Sequence, residues 1–310
     1  MPDERPVLLF GSATIDILGR ALEPLSGGTS NEGWVAMTLG GVARNVAETL
    51  TRLGQDTILI SAVGDDDYGL LLATASAEVG IDTSQMVQVP GGHSGSYLAM
   101  LDEDGRLRHA LSDLTVMTAI TPDYVQARSE LFDEASMVVL DMNLPPATIA
   151  LVINLARQAG IPVCADPTSQ QLAARLKPHL AHLHFVSGNM AEVQALCDLP
   201  EPPATREAAI SAAHCLVGRG VGVAAVTMAE FGVGYASPNS SGYVPAMHAR
   251  VVKQTGAGDA FFGTAIFGML NDIPLDEAFQ LAAVAAGLTL QSEYTVLPDL
   301  SLDLLYGRLQ

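Results

Sequence analysis

The sequence predicts an α/β fold, a three-layer α/β/α sandwich in which a mostly parallel sheet is covered by helices on both faces. Short apolar runs recur along the 310 residues, and amphipathic segments lie between them. Alternation of this kind is typical of βαβ units, which build parallel sheets. The sequence contains no internal repeat and no flexible linker, so we expect a single domain over residues 1–310.

The predicted strands are short and apolar, as expected for buried strands. In chain order they are Val7–Phe10, Thr57–Val63, Val138–Asp141, Pro162–Asp166, Phe185–Ser187 and Val223–Thr227. Helices are predicted between them, at Val46–Leu53, Tyr68–Val79, Pro146–Ala159, Ala191–Leu196 and Arg206–Gly218. In such sheets a ligand binds beyond the carboxyl ends of the strands. Polar residues lie at or just after those ends, namely Asp141, Asp166, Asn189 and Thr227.

Two segments break the alternation. Residues 18–38 are rich in Gly, Ser and Thr and contain the only tryptophan, Trp34. Residues 95–111 alternate apolar and polar side chains around Asp102-Glu-Asp-Gly105, and an Asp-Gly tip is typical of a hairpin. We expect both segments to supply strands of a small accessory sheet, and the alternative is a pair of ordinary surface hairpins.

Composition and charge exclude several functional classes. With 49% hydrophobic residues the chain can bury a large core. No apolar run reaches 18 residues, and Met1–Pro6 is too short and polar for a signal peptide, which predicts a cytoplasmic protein. The net charge of −19 argues against binding to nucleic acid or to an anionic membrane. Three cysteines without CxxC spacing, Cys164, Cys197 and Cys215, are predicted to be reduced core residues.

The most informative motif is Thr255-Gly-Ala-Gly-Asp-Ala-Phe-Phe-Gly263, which enters an apolar stretch. The small residues Gly256, Ala257 and Gly258 let backbone N–H groups converge on a phosphate at a helix N-terminus. Asp259 is placed to take a proton from an attacking hydroxyl, and its ordinary pKa near 4 predicts an ionised carboxylate at neutral pH. The alternative is a glycine-rich turn with Asp as a helix cap.

Another motif lies far upstream; in chain order we call it the first motif and the glycine-rich motif at 255–263 the second motif. Gly40-Gly-Val-Ala-Arg-Asn45 is followed by Gly54, Gly64 and the pair Asp65-Asp66. These two motifs, in this order, resemble the two signatures of the ribokinase-like (PfkB) sugar and nucleoside kinases. The resemblance covers essentially the whole chain and implies an ATP- and Mg²⁺-dependent kinase with a β-sheet lid, formed here by the segments at about 18–38 and 95–111. It also implies a homodimer through that lid.

Within the family, the form of the first motif is most similar to that of the members that act on pseudouridine. Asp141-Met-Asn143-Leu and the stretch Ser292–Ser301 support the same resemblance. It implies phosphorylation of the 5′-hydroxyl of pseudouridine. The alternatives are a ribokinase, a fructokinase or another nucleoside kinase of the family, and a non-catalytic nucleoside-binding sensor. A dinucleotide-binding oxidoreductase is rejected because no Gly-x-Gly-x-x-Gly follows the first strand.

The candidate acceptor site consists of residues suited to adjacent sugar hydroxyls. Carboxylates accept hydrogen bonds from hydroxyls, amides both donate and accept, and paired glycines allow close approach of the backbone. The residues are Asp16, Gly40, Gly41, Asn45 and Asn143. Arg44 either reaches the base or lid or lies on a solvated helix face, and the sequence favours neither.

The candidate nucleotide site comes from the middle of the chain. Asn189 and Glu192 lie on one face of a helix start, where the resemblance implies that they organise Mg²⁺ and phosphates, with Glu192 acting through water. Helix capping by Asn189 is the alternative. Thr227 and Gly232 occupy the place of the family's Thr-x-Gly-x-x-Gly nucleotide loop, whose middle glycine is Ala229 here. The adenine pocket is expected among residues 283–293.

Two further features concern metal ions. K⁺-activated relatives carry Asp at the position of Lys253, so we hypothesise that the ammonium group replaces the cation and that K⁺ is not required. The alternative is a solvent-exposed lysine. His179, His182 and His184 have no clustered carboxylate or thiolate, and we expect a surface or half-buried position rather than a zinc site.

Overall fold

The computed structural model describes residues 5–247, 251–252 and 255–309. Within these residues the central sheet has eight strands. Its six parallel strands are β1 (Val7–Phe10), β4 (Thr57–Ile60), β9 (Met137–Asp141), β10 (Val163–Asp166), β11 (Phe185–Asn189) and β12 (Val223–Thr227). Two antiparallel strands extend one edge, β13 (Val233–Ala236) and β14 (Ser241–Val244). The order across the sheet is β14-β13-β12-β11-β10-β9-β1-β4. The mostly parallel sheet predicted from the apolar runs is confirmed.

Helices pack on both faces of this sheet. They are α1 (Val42–Arg52), α2 (Asp67–Val79), α3 (Pro122–Gln126), α4 (Pro146–Ala159), α5 (Met190–Cys197), α6 (Arg206–Gly218), α7 (Ala257–Leu270), α8 (Leu275–Leu290) and α9 (Leu302–Arg308). Short 3₁₀ turns lie at Thr115–Ala119, Ser129–Phe132, Ala173–His182 and Ala229–Phe231. Leu8 and Phe10 of β1 join a core with α4 and α6, whereas Val7 and Leu9 join a second core with α1, α7 and α8. Alternate residues of one strand therefore feed opposite layers, as in a three-layer sandwich.

A second sheet of four strands forms the accessory structure. Its strands are β2 (Thr14–Ala21), β3 (Gly33–Gly40), β7 (Ser96–Leu101) and β8 (Leu107–Asp113), in the order β3-β2-β7-β8. We call it the lid sheet. The predicted segments 18–38 and 95–111 both lie in it, so the alternative of separate surface hairpins is wrong. The turn between β7 and β8 closes at Asp102–Gly105, as predicted.

Some boundaries differ from the sequence prediction for physical reasons. The apolar run 57–63 was predicted as one strand, but β4 stops at Ile60 and β5 (Ala62–Gly64) pairs instead with β6 (Val87–Val89) in a separate sheet. The helix predicted from Val46 begins four residues earlier, at Val42, because Gly41 turns the chain into it with a φ of 94°. Only a glycine enters that backbone region without strain.

Candidate active site

A buried carboxylate connects the ends of β1 and β9 with the start of α1. Asp141 is fully buried and accepts hydrogen bonds from Ser12 N at 2.6 Å, Ser12 Oγ at 2.7 Å and Ala43 N at 3.3 Å. A Cβ at Gly11 would collide with this carboxyl group, which explains the glycine after β1. Burial raises the pKa of Asp141, and these donors oppose the rise. Asp141 therefore fixes the backbone around the first motif.

Asp259 lies in the first turn of α7 and contacts the first motif directly. Asn45 Nδ2 donates to Asp259 Oδ2 at 2.7 Å, although the two residues are 214 positions apart. Gly256 precedes the helix with a φ of 91°, and a Cβ there would collide with the carbonyl of Thr295. The N-cap residue of this helix, Gly256, has no side chain that could accept from the first backbone amides. The structure thus brings the two predicted motifs together.

The charge state of Asp259 differs from the sequence expectation. Burial is the largest cause that raises its pKa to about 7, and the nearby carboxylates Asp16, Asp141 and Glu192 add to the effect. The hydrogen bond from Asn45 lowers the pKa. The expectation of a carboxylate with an ordinary pKa near 4 is therefore wrong, because separate segments of the chain place negative groups around Asp259.

The predicted acceptor residues gather beside the lid sheet. A Cβ at Gly40 would collide with the Asp16 carboxylate, and Thr14 Oγ1 donates to Asp16 Oδ1 at 2.8 Å. Strand register places Asp16 between Thr38 of β3 and Tyr97 of β7, so these polar side chains share one face of the lid sheet. Burial and Asp16 raise the pKa of Tyr97. The sequence motifs gave no role to Tyr97, which the register makes a direct neighbour of Asp16.

Asn143 and Gly41 lie beside Ser12 and Asp141. Asn143 Nδ2 donates to Ser12 Oγ at 3.1 Å, and Asn143 N donates to Asp141 Oδ1 at 2.9 Å. A Cβ at Gly41 would collide with the carbonyl of Ser12. Asn143 is therefore part of the hydrogen-bond network around Asp141, and Gly41 lies beside Ser12 of that network at the start of α1, the helix that contains Asn45.

A large cleft opens between the lid sheet and the body of the protein. Its volume is about 1000 Å³. We call it the lid cavity. Its walls combine lid residues with loop residues of the body, including Leu18, Arg20, Trp34, Thr38, Tyr97, Thr255, Glu293 and Tyr294. Aromatic side chains thus come from both walls of the cleft.

A second cavity of about 490 Å³ lies on the other side of the second motif. We call it the inner cavity. It is lined by three predicted nucleotide residues, Asn189, Thr227 and Gly232, and by Ala257 and Gly258 of the glycine-rich motif. Its apolar wall includes Met247, Phe261, Ala283, Ala286, Gly287 and Leu290. Part of the segment predicted for adenine thus lies along this wall, whereas Met247 and Phe261 carried no recognisable signal in the sequence.

The glycine-rich motif separates the two cavities. Thr255 lines the lid cavity, whereas Ala257 and Gly258 line the inner one. A Cβ at Gly258 would meet no atom within 4 Å, so space is open directly above this backbone. An anion in that space would approach the uncapped start of α7, where amides and the helix dipole favour negative charge.

Asn189 and Glu192 form a capping box at the start of α5. Asn189 Oδ1 accepts from Glu192 N at 3.0 Å, and Glu192 Oε2 accepts from Asn189 N at 2.8 Å. The capping role predicted as an alternative is therefore present, but Asn189 also lines the inner cavity. Burial raises the pKa of Glu192, and Glu192 and Asp259 in turn help to raise that of Asp166. Glu192, Asp166 and Asp259 thus form a group of carboxylates close enough to act on one another, next to the cavity-lining Asn189.

The carboxylates of this group are candidates for binding Mg²⁺. Within the described ranges, no three His, Cys, Asp or Glu side chains stand close enough to ligate one ion directly. Mg²⁺ keeps several waters and usually takes one or two carboxylates together with substrate phosphates. The buried acids Glu192 and Asp166 fit this water-mediated mode and do not fit an all-protein cage.

The altered nucleotide loop keeps a glycine-like backbone. Ala229 has a φ of 48°, a conformation that L side chains rarely adopt. Gly232 has a φ of 93°, and a Cβ there would collide with the carbonyl of Val244. The alanine therefore changes the side chain without removing the turn, at a cost of about 1 kcal/mol in backbone strain.

Arg44 occupies neither of the positions considered from the sequence. It is 4% exposed, forms an ion pair with Glu48 at 2.5 Å, and donates to Asn45 Oδ1 at 3.1 Å. The i, i+4 spacing of Arg44, Glu48 and Arg52 was the signal that could have indicated this pairing. Lys253 and Gln254 lie outside the described residues.

Comparison with known proteins fixes the family. The model of the pfkB family of carbohydrate kinases matches residues 5–301. The chain belongs to that family. The pseudouridine kinase of Escherichia coli (strain K12) is 31% identical to it, with 97% of this chain and 96% of the relative aligned. The guanosine-inosine kinase of Exiguobacterium acetylicum is 26% identical over 95% and 97% of the two chains.

Solved structures confirm the fold of this pfkB-family kinase. The ribokinase of Arabidopsis thaliana, solved in complex with ribose and ATP, has a TM-score of 0.84 at 23% identity, covering 98% of both chains. The predicted ribokinase-like α/β sandwich with its small second sheet is therefore confirmed. Across the described parts of the chain, no helix is both long and apolar enough to cross a membrane.

Proposed function

We propose that this kinase transfers the γ-phosphoryl group of ATP to the 5′-hydroxyl of a ribosyl nucleoside, pseudouridine. The observation that carries the proposal is the position of the glycine-rich motif between two cavities, with Asp259 and Asn45 bonded to each other beside it. Transfer between two bound molecules needs a donor site, an acceptor site and an anion-binding backbone between them. The family supports the same reaction class.

ATP is proposed to lie in the inner cavity. Asn189, Thr227 and Gly232 line this cavity, and its apolar wall suits a flat base. The γ-phosphate would then rest over the amides of Gly256, Ala257 and Gly258, where the open space above Gly258 admits it. Mg²⁺, held by phosphate oxygens and through water by Glu192, would neutralise phosphate charge in the transition state.

The acceptor is proposed to lie in the lid cavity and to extend beyond its described lining to the predicted acceptor residues, which border the lid sheet and the Asp141 network but are not part of the cavity wall. Asp16 would accept from sugar hydroxyls, and Gly40 and Gly41 would allow the ring to approach the backbone. Asn45 and Asn143 would complete the polar contacts. The aromatic residues Trp34 and Tyr294 on opposite walls supply stacking surface that a free sugar does not need. This size and aromaticity favour a nucleoside over ribose or fructose.

The proposed chemical step uses few protein groups. The acceptor hydroxyl loses its proton to Asp259 while its oxygen forms a bond to the γ-phosphorus, and the bond from that phosphorus to the β,γ-bridging oxygen breaks to release ADP. Asn45 holds the carboxylate in place through its amide. The backbone at the start of α7 stabilises the transferring group, since its amides already point at the developing charge.

Turnover with a panel of acceptors tests this proposal. ADP release is measured with pseudouridine, uridine, adenosine, cytidine, ribose and fructose, for the wild-type protein and for Asp259→Asn. Turnover confined to pseudouridine and lost in D259N supports the proposal. Turnover with another acceptor overturns the substrate. Retained ATP binding without any turnover instead supports the sensor alternative.

We further propose that turnover does not require K⁺. The support comes from the sequence alone: Lys253 occupies the position at which the family resemblance implies Asp in K⁺-activated relatives. Turnover in potassium chloride and in choline chloride at equal ionic strength is expected to be the same. Strong activation by K⁺ overturns this proposal.

A homodimer through the lid sheet is proposed as well. The face of the lid sheet opposite Asp16 exposes Val35, Met37, Leu98, Met100 and Leu111 to solvent in the single chain. A contiguous apolar face of this kind is typical of an interaction surface. Light scattering is expected to give the mass of a dimer for the wild-type protein and of a monomer for the variant Met37→Lys/Leu111→Lys.

A further inference from the structure

A chain of hydrogen bonds runs behind Asp259 into α1. Arg44 Nη1 donates to Asn45 Oδ1 at 3.1 Å, and Asn45 Nδ2 donates to Asp259 Oδ2 at 2.7 Å. Arg44 and Asn45 are 4% and 3% exposed, so water does not compete freely for these bonds. The proposed base is thereby connected to a buried positive charge through one amide.

The chemistry of these groups gives the chain one direction. A guanidinium carries five N–H donors and no acceptor, so only the carbonyl oxygen of Asn45 can face Arg44. The NH₂ of the same amide is then directed to Asp259. An amide turned the other way would place its oxygen against the carboxylate, where only a protonated Asp259 could donate to it. Arg44 therefore selects the amide orientation that suits an ionised base.

Arg44 is itself held firmly. Its Nη2 donates to Glu48 Oε2 at 2.5 Å, and the other oxygen of Glu48 accepts from Arg52 Nε at 2.8 Å and Nη2 at 2.6 Å. Arg52 also donates to the carbonyl of Pro298. Arg44 Nε is buried and has no hydrogen-bond partner among the residues that the structure describes, so Arg44 stays buried although this donor is unsatisfied there. A residue that served packing alone would not need this buried charge.

We propose that Arg44 is a positioning residue for phosphoryl transfer: it fixes the Asn45 amide so that Asp259 is held as an ionised hydrogen-bond acceptor. The inference rests on the proposed function, in which Asp259 takes the hydroxyl proton. It adds a residue that is not among the described lining residues of either cavity; its hydrogen bond toward Asp259 runs through Asn45, and it also interacts through space with Asp16.

The charges around Asp259 make this role consequential. The described groups that act on it are negative except for the bonded amide, and Arg44 lies behind that amide. Through-space repulsion favours the protonated form of Asp259, which cannot accept the hydroxyl proton. The negative groups are Asp16 on β2, Asp141 on β9, Asp166 on β10 and Glu192 on α5.

The test compares Arg44→Met with the matched control Arg52→Met. Both variants remove one arginine from the same Glu48, but Arg52 bonds with Glu48 and Pro298 instead of Asn45. With pseudouridine as acceptor, R44M is expected to lower kcat on the order of 100-fold. It is also expected to shift the acidic limb of the kcat/KM profile upward by about one pH unit, with KM for ATP unchanged. R52M is expected to lower thermal stability while leaving the rate and the pH profile in place.

Two further variants distinguish positioning from structural damage. Arg44→Lys retains one donor toward Asn45 Oδ1 and is expected to recover part of both the rate and the pH profile. In an Asn45→Ala background, R44M is expected to change the rate less than about threefold, because the group that transmits its effect is gone. A full additional loss in that background, or equal effects of R44M and R52M, overturns the inference.

One measurement tests the Arg44 inference independently of the proposed function. The pH dependence of unfolding, compared with and without D259N, reports the pKa of Asp259 without any turnover, and R44M is expected to raise that pKa. An unchanged pKa in R44M overturns the Arg44 inference, whatever the substrate proves to be. Full activity of D259N instead overturns the proposed base while leaving the unfolding result interpretable.

Discussion

Replacing Asp259 by Asn is expected to stabilise the protein above neutral pH while it abolishes turnover. Asp259 has a pKa of about 7 in the folded protein, against an ordinary value of 3.8. A carboxyl whose pKa is raised on folding favours the folded state when it is protonated. That contribution is complete below about pH 4 and is lost as the pH rises through about 7.

The magnitude follows from the two pKa values. Their difference corresponds to about 4 kcal/mol between the protonated and ionised forms. Asp259 is only partly exposed, so we expect this difference to appear in the free energy of unfolding. D259N carries no charge at any pH and its amide oxygen can still accept from Asn45. The variant should therefore gain about 4 kcal/mol over the wild type at about pH 8 and almost nothing near pH 4.

Urea unfolding monitored by circular dichroism measures this difference, between about pH 4.5 and 8.5, without nucleotide and with a chelator present. The matched control is Asp198→Asn. Lys177 and Arg219 hold the pKa of Asp198 below its usual range, so its removal should give no gain that grows between about pH 4 and 7. A D259N difference that stays flat across this range refutes the account of carboxylate crowding, because it would mean that Asp259 titrates far below pH 7.

Three further results are expected. The kcat/KM profile of the wild type should rise with pH and bend near 7, since the ionised form of Asp259 is the proton acceptor, and a bend near 4 contradicts this. Gly258→Ala should stabilise α7 by up to about 1 kcal/mol yet raise KM for ATP, because a methyl group fills open space beside the backbone. Gly256→Ala should instead destabilise the protein by more than about 1 kcal/mol, because of its positive φ and a backbone collision. Calorimetry measures the stability of each variant, and kinetics measures KM for ATP. Gly40→Ala should displace the Asp16 carboxylate and raise the acceptor KM about tenfold with KM for ATP unchanged, and equal changes in both would contradict separate cavities.

Local patterns were sufficient for most of the central sheet. Helices α4 and α6 have the predicted bounds, and β9 begins only one residue earlier than expected. Pro145 and Gly160 bound α4, and the Thr205 side chain caps the start of α6. The run 57–63 failed for a different reason. An apolar run shows that a segment is buried, but it does not show that the chain leaves one sheet and joins another at Ser61.

The positions of two glycines in the site were predictable, because each is explained by a direct contact that leaves no room for a side chain. Gly40 and Gly256 are glycines because Asp16 and the carbonyl of Thr295 fill the space that a Cβ would need. The pKa of Asp259 was not predictable in this way. It depends on Asp16, Asp141 and Glu192, which three distant segments bring to one edge of the sheet. Sequence spacing does not encode that distance.

The carboxylates clustered around Asp259 also affect how this acidic protein binds a polyanion such as ATP. With a net charge of −19, long-range attraction does not bring ATP to this protein. The local surface differs from the global one, since the backbone at the start of α7 lies beside open space at Gly258. In the proposed mechanism, acids such as Glu192, which is hydrogen-bonded to the cavity-lining Asn189, repel bare phosphate but favour phosphate that carries Mg²⁺. We therefore expect this site to bind the metal complex of the nucleotide in preference to the free anion, while the hydrogen bond from Asn45 holds Asp259 in place as the proposed proton acceptor.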